Sequence, residues 1–245
     1  RFEAAAKAGF AAVEFLFPYD HPADAVGERL KRNGLTQALF NLPPGDWAKG
    51  ERGLAALPGR EADFEAAMKQ ALDYAEVTGC KTVHAMAGLR HHGADRKTYI
   101  ANLRKGAKRA AAAGVTVIIE PINTRDIPGF FLNTTAEARA VIHEVGADNL
   151  GLQFDLYHRA IQEGDVTMAI REFGHLAKHY QIASPPDRGE PDVRAHQVDQ
   201  AGDEQADAHE RCCGSGEWAG GSAASVAPRR RRRPRAPNAT HRGRT

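Results

Sequence analysis

The sequence predicts an α/β protein built as a parallel barrel of the (β/α)8 TIM type, incomplete within this chain, and three observations carry that reading. The first is length: 245 residues sit close to the ~250 of such a barrel. The second is the alternation, over residues 1–190, of short apolar runs with longer amphipathic ones, the pattern of successive βα units. The third is that the short runs are mostly apolar throughout, as strands covered on both faces must be. Composition agrees with a soluble folded domain, 42% hydrophobic and 26% charged. No apolar run approaches the ~20 residues of a membrane-spanning helix. The opening residues read as an amphipathic helix and not as a signal peptide, so a cytoplasmic protein with no membrane partner is expected.

Taken in order, Phe2–Ala8 is the first helix, and strands are expected at Ala12–Phe15, Leu35–Asn41, Thr82–Met86, Val115–Ile122, Leu150–Asp155 and His179–Ala183. Val115–Ile119, Val-Thr-Val-Ile-Ile, is the clearest of these. The strongest helices are Glu61–Val77, where Phe64, Met68, Ala71, Leu72 and Ala75 share one face, and Arg96–Ala113, opened by Asp95 as N-cap and closed by Gly114. Six strands are two short of a closed barrel, with the first absent and the eighth replaced by a different sequence; the edges so exposed are pairing hazards.

The composition changes near residue 190. From Pro191 to Thr245 there is no Leu, Ile, Phe, Tyr, Met or Lys, and the segment ends in the run Arg229 to Arg233 with Arg235. Such a segment cannot bury enough apolar surface to offset backbone ordering at roughly 1–2 kcal/mol per residue, so residues 191–245 are expected to be disordered. The Arg/Ala/Gly/Pro bias also fits a shifted reading frame of a GC-rich gene. A basic tail raises nucleic-acid binding, but this one has no interleaved aromatic and no helical period, and no nucleic-acid partner is expected. The three cysteines, Cys80 in an apolar run and the adjacent Cys212 and Cys213, form neither a disulfide framework nor a zinc spacing.

Barrel chemistry sits where strands end, so the polar residues closing each apolar run are the candidates. Glu120 closes one, Asp155 another, and Gln181 lies in His-Tyr-Gln-Ile-Ala; their separations of 35 and 26 residues are each about one βα unit. Two carboxylates and an amide are oxygen donors suited to a hard divalent ion such as Mg²⁺ or Mn²⁺. Each alone could merely cap a strand or pair with a neighbouring base. Three at successive strand ends argue for a site. His84 closes its own strand and His158 follows Asp155 by three positions, so each either faces the same mouth or is a hydrogen-bonded structural histidine. His91 and His92 read as exposed, and Trp47, in a stretch of turn formers, as either a lid or a loop anchor.

Six motifs then stand together: Val-Glu-Phe-Leu-Phe-Pro-Tyr-Asp (13–20), Phe-Asn-Leu-Pro-Pro-Gly-Asp-Trp (40–47), Ala-Leu-Pro-Gly-Arg (56–60), His-Ala-Met-Ala-Gly (84–88), Ile-Glu-Pro-Ile-Asn (119–123) and Gln-Phe-Asp-Leu-Tyr-His (153–158). In this order they resemble the hydroxypyruvate isomerases among the xylose-isomerase-like barrels. The resemblance implies interconversion of hydroxypyruvate and tartronate semialdehyde, in glyoxylate metabolism. It makes Glu120, Asp155 and Gln181 three of four metal ligands, with Glu120 also one of two catalytic glutamates. His158 and Arg188 then match positions that contact substrate, with Glu190 a weaker candidate and His84 a further residue of the mouth. The fourth ligand and second glutamate belong to the family's eighth strand; Glu204 and Glu210 lie in non-periodic sequence and do not inherit that role. A ketose 3-epimerase would use the same metal arrangement, and a catalytically inactive barrel is the other alternative. The expected partner is a small-molecule substrate, and homo-oligomer formation is compatible with this reading.

Overall fold

The computed structural model describes residues 1–191, and the expected tail, including Cys212, Cys213, Glu204 and Glu210, lies outside the described residues. The chain begins with α1 (Phe2–Lys7), then β1 (Ala12–Glu14), α2 (Ala23–Arg32), β2 (Thr36–Asn41), α3 (Glu61–Thr78), β3 (Thr82–His84), α4 (Arg96–Ala112) and β4 (Thr116–Ile119). It continues through α5 (Thr135–Val145), β5 (Leu150–Asp155), α6 (Leu156–Gln162) and α7 (Val166–Phe173) to β6 (Ala177–Gln181). The six strands form one sheet in sequential order, every pair parallel. Among the described residues it curls into an open barrel with six of the eight strands that close this fold.

Local chemistry explains the helices. Asp95 accepts from Thr98 N at 2.9 Å to start α4. Thr134 and Glu137 form a reciprocal capping box at the start of α5, and Gly146, at φ +68°, ends it. Helices α2, α3, α4 and α5 pack against their neighbours on the outside of the sheet. Val117, Ile118, Ile119, Leu152 and Phe40 are wholly or almost wholly buried, each contributing about 1.5–3 kcal/mol by leaving water. Cys80 is a buried free thiol, its pKa pushed up to about 11 by burial. No helix among the described residues is long and apolar enough to cross a membrane.

The last strand lies two residues earlier than its composition suggests. Register pairs Asp155 with Gln181, and because β5 turns into α6 at Asp155, Ile182 and Ala183 have no strand beside them. Alternation sends Gln153 and Asp155 of β5 to the inner face, and Leu152 and Phe154 outward against the helices. At the open side Tyr180 and Ile182 are exposed.

The long β2–α3 connection folds back over the sheet. Gly53 pairs with Ala87 across an isolated antiparallel bridge and has φ +116°, and a Cβ there would collide with the Met86 carbonyl. Gly53→Ala is therefore expected to lower stability by about 3 kcal/mol through strain and overpacking, read as a shift in urea midpoint. An unshifted midpoint would show that the loop is free to move away. Trp47 in this loop is 40% exposed, with its ring 5.2 Å from Phe17 and 3.7 Å beneath the Arg52 guanidinium.

Candidate active site

The carboxyl ends of β3 to β6 bring together His84, Glu120, Asp155, His158, Arg188 and, one hydrogen bond further out, Gln181. Glu120 is 6% exposed, Asp155 4% and His158 3%. Candidate ligand atoms of these three lie within 4.8 Å of one another. His158 Nε2 is 3.9 Å from Glu120 Oε1 and 3.7 Å from Asp155 Oδ2, and His84 Nδ1 is 3.7 Å from Glu120 Oε2.

Asp155 has two tasks. Its Oδ1 accepts from Tyr157 N at 2.9 Å and His158 N at 3.4 Å, capping α6. Its Oδ2 accepts from Arg188 at 2.9 Å. Arg188 is held in the left-handed region at φ +55°, where a non-glycine residue is uncommon, and its guanidinium lies 5.0 Å from the centre of the Tyr157 ring. Gln181 sits beside Asp155 in register, but its amide turns to Glu14 and Gln153.

The tautomer of His158 follows from its neighbours. Asp126 N donates to Asn123 Oδ1 at 2.8 Å, which leaves Asn123 Nδ2 to face His158 Nδ1 at 2.7 Å. Nδ1 accepts, so the proton of the neutral ring is on Nε2, directed at the two acids. Burial holds His158 neutral, lowering its pKa to about 4. Burial does the same to His84, at about 3. Glu120 is pushed well above the usual carboxylate range, first by burial and then by the Asp155 charge, with Arg188 opposing. A carboxyl displaced toward neutrality is better suited to exchange a proton than one held firmly ionised.

These displacements make the metal-free chain acid-sensitive. A histidine with a depressed folded pKa contributes stability above its unfolded value near 6.5, lost as pH falls toward 4 or 3. Glu120 acts in the opposite sense, because its raised folded value contributes stability that is lost as pH rises. Between pH 6 and 5 the unfolded histidines take up protons that the buried rings do not, so each lowers stability as pH falls, His84 by roughly 1 kcal/mol per pH unit. Urea titrations of His84→Gln are expected to give a shallower fall over that range than the parent; equal slopes in both proteins would refute this origin.

The donor set suits a divalent ion. Two carboxylates converge in a buried space with one guanidinium to offset them, and both ring nitrogens of His84 and Gln153 Oε1 lack hydrogen-bond partners. Buried polar atoms are rarely left so unless a ligand or water completes them.

Three site residues escape the strand-end reading. Glu14 closes β1 as Glu120 and Asp155 close their strands, so the same rule applied to Ala12–Phe15 would have found it. Gln153 lies two positions before Asp155 on the same face. Asn123 carries no sequence signal, since its role depends on the loop after Pro121.

A parallel βα sheet with buried acids at the carboxyl ends of its strands defines a barrel enzyme. The chain belongs to the xylose isomerase-like TIM barrel family, whose profile matches residues 2–216. The 2-oxo-tetronate isomerase of Cupriavidus necator is 58% identical over 197 residues, covering 79% of this chain and 76% of that protein. The hydroxypyruvate isomerase of Escherichia coli is 42% identical over 195 residues, covering 78% and 76%. Among solved structures, the family 2 AP endonuclease of Brucella melitensis is 46% identical with a TM-score of 0.74, over 81% of this chain and 80% of that one.

Proposed function

We propose that the chain is an isomerase of short 2-oxo hydroxy acids, moving a carbonyl between neighbouring carbons of hydroxypyruvate and, in a second reading favoured by the 58% identity to a 2-oxo-tetronate isomerase, of 2-oxo-tetronate. Both substrates carry a carboxylate beside a ketone flanked by a carbinol carbon. Their isomerisation removes a proton from that carbon, passes through an enediolate and returns a proton to the former ketone carbon. The observation that carries this reading is the buried Glu120 carboxyl after β4, facing His158 Nε2 at 3.9 Å.

Glu120 takes the carbon-bound proton, and general acid–base help of this kind contributes about 10²–10⁴-fold. His158, with its proton on Nε2, donates a hydrogen bond to the oxygen on which charge develops. Arg188 offers a planar fork to the substrate carboxylate. Glu120, Asp155 and Gln181 would hold a divalent ion, Mg²⁺ or Mn²⁺. His158 is the other geometric candidate, but its Nε2 proton makes it a donor. When bound, the ion supplies electrophilic stabilisation of the substrate oxygens.

Residues 1–190 form the catalytic unit in this reading. The test is turnover of hydroxypyruvate and of 2-oxo-tetronate with Mg²⁺ or Mn²⁺, beside a panel of ketoses. Turnover of either acid above all ketoses is the expected result. A ketose reacting faster than both would replace this reading with that of a 3-epimerase, and no turnover of any of them would remove it.

A further inference from the structure

A third buried acid of the inner face is Glu14, at the end of β1 and 4% exposed. Strands β1 and β6 share no backbone ladder, yet the Glu14 carboxylate spans the open side between them. Its Oε2 accepts from His179 Nε2 at 2.6 Å and its Oε1 from Gln181 Nε2 at 2.6 Å. The chemistry fixes the orientation of that amide. An ionised carboxylate can only accept, so it selects the nitrogen end of Gln181, and the oxygen end must face away. That oxygen accepts from Gln153 Nε2 at 2.7 Å, and Gln153 also hydrogen-bonds Glu120. A chain of side chains thus runs from Glu14 through Gln181 and Gln153 to Glu120. An amide oxygen has two lone pairs, so one remains after the bond from Gln153.

We propose that Glu14 is a positioning residue: by holding the nitrogen end of the Gln181 amide, it keeps the oxygen end on the Gln153 side, as the end available to a divalent cation held with Glu120 and Asp155. The inference rests on the reading of Gln181 as a ligand and goes beyond it, since Glu14 touches neither cation nor substrate. Its partner His179 serves as a control, because it shares the Glu14 carboxylate but lies off the path to Glu120.

The experiment is Mn²⁺ binding to the full chain, followed by loss of the free Mn²⁺ paramagnetic resonance signal. In Glu14→Gln an amide faces an amide, Gln181 is free to reverse, and affinity is expected to fall roughly 10–100-fold, the usual consequence of losing a partner that orients a ligand. The double variant Glu14→Gln with Gln181→Glu again pairs an amide with a carboxylate, and is expected to recover most of that loss. His179→Ala is expected to leave Mn²⁺ affinity within about three-fold of the parent, below the usual loss for an orienting partner. Parent-like affinity in Glu14→Gln, or an equal loss in His179→Ala, overturns the proposal. If the parent binds no Mn²⁺, the ligand reading itself fails, and the orientation is judged separately from the Gln181 side-chain amide resonances. These are expected to shift in Glu14→Gln, and unmoved signals overturn the proposal. Should Glu14→Gln not fold, the parent alone decides: one slowly exchanging, downfield Gln181 amide proton supports the contact, and a freely exchanging pair overturns it.

Discussion

Glu120→Gln is expected to lower turnover of the 2-oxo acid substrate by at least 10²-fold, toward 10⁴-fold, while leaving the fold as stable as the parent or more so. The two halves of that expectation share one cause. Glu120 is buried beside Asp155 and close to Glu14, and burial and like charge both oppose its ionisation. An amide of the same shape removes that penalty and with it the proton-transferring group, so function and stability move apart. Turnover and urea midpoint must be measured on the same preparation. Turnover within ten-fold of the parent would show that another group moves the proton. A fall in turnover accompanied by a lower midpoint would show that Glu120 has a structural task this geometry does not reveal.

Asp155 separates structure from binding in a different way. Asparagine is about as good an N-cap as aspartate, so Asp155→Asn keeps the bonds to Tyr157 N and His158 N that start α6. It loses the charge that faces Arg188 and would face a cation. Mn²⁺ affinity is expected to fall by more than 100-fold, beyond the 10–100-fold of an orienting residue, with little change in melting temperature. Asp155→Ala removes the cap as well and should cost about 2 kcal/mol in addition. Equal Mn²⁺ affinity in Asp155→Asn and the parent would remove Asp155 from the ligand set. Equal stability of the asparagine and alanine variants would mean that the cap is dispensable.

Much of this architecture is legible without coordinates, because the strands are short, apolar and separated by amphipathic helices with readable caps. Asp95 and Gly114 bracket α4 as their chemistry requires. Glu120, Asp155 and Gln181 are visible because strand ends in a parallel barrel share one face. What the pattern could not supply is everything set by rotamers and by contacts across the barrel. The Nε2 proton of His158 depends on Asn123, which depends in turn on the Asp126 amide. The reversal of the Gln181 amide depends on Glu14, 167 positions away. The end of β6 eludes the pattern for a similar reason: Ile182 and Ala183 look like strand, but β5 has already turned.

The Glu14–Gln181 contact also has a temporal meaning. The neighbouring βα units can pair as they emerge, each closing a short loop, whereas this bond joins positions 167 apart in the chain. Bringing such distant ends together carries an entropy of roughly 4–5 kcal/mol before any contact rewards it, and long-range closures of this kind slow folding. During synthesis, therefore, most of the sheet exists while the inner site is still open, and the Gln181 amide acquires its orientation only when the last strand arrives. A nascent chain released before β6 would carry the helices and five strands of an isomerase-like barrel without a completed place to bind a cation.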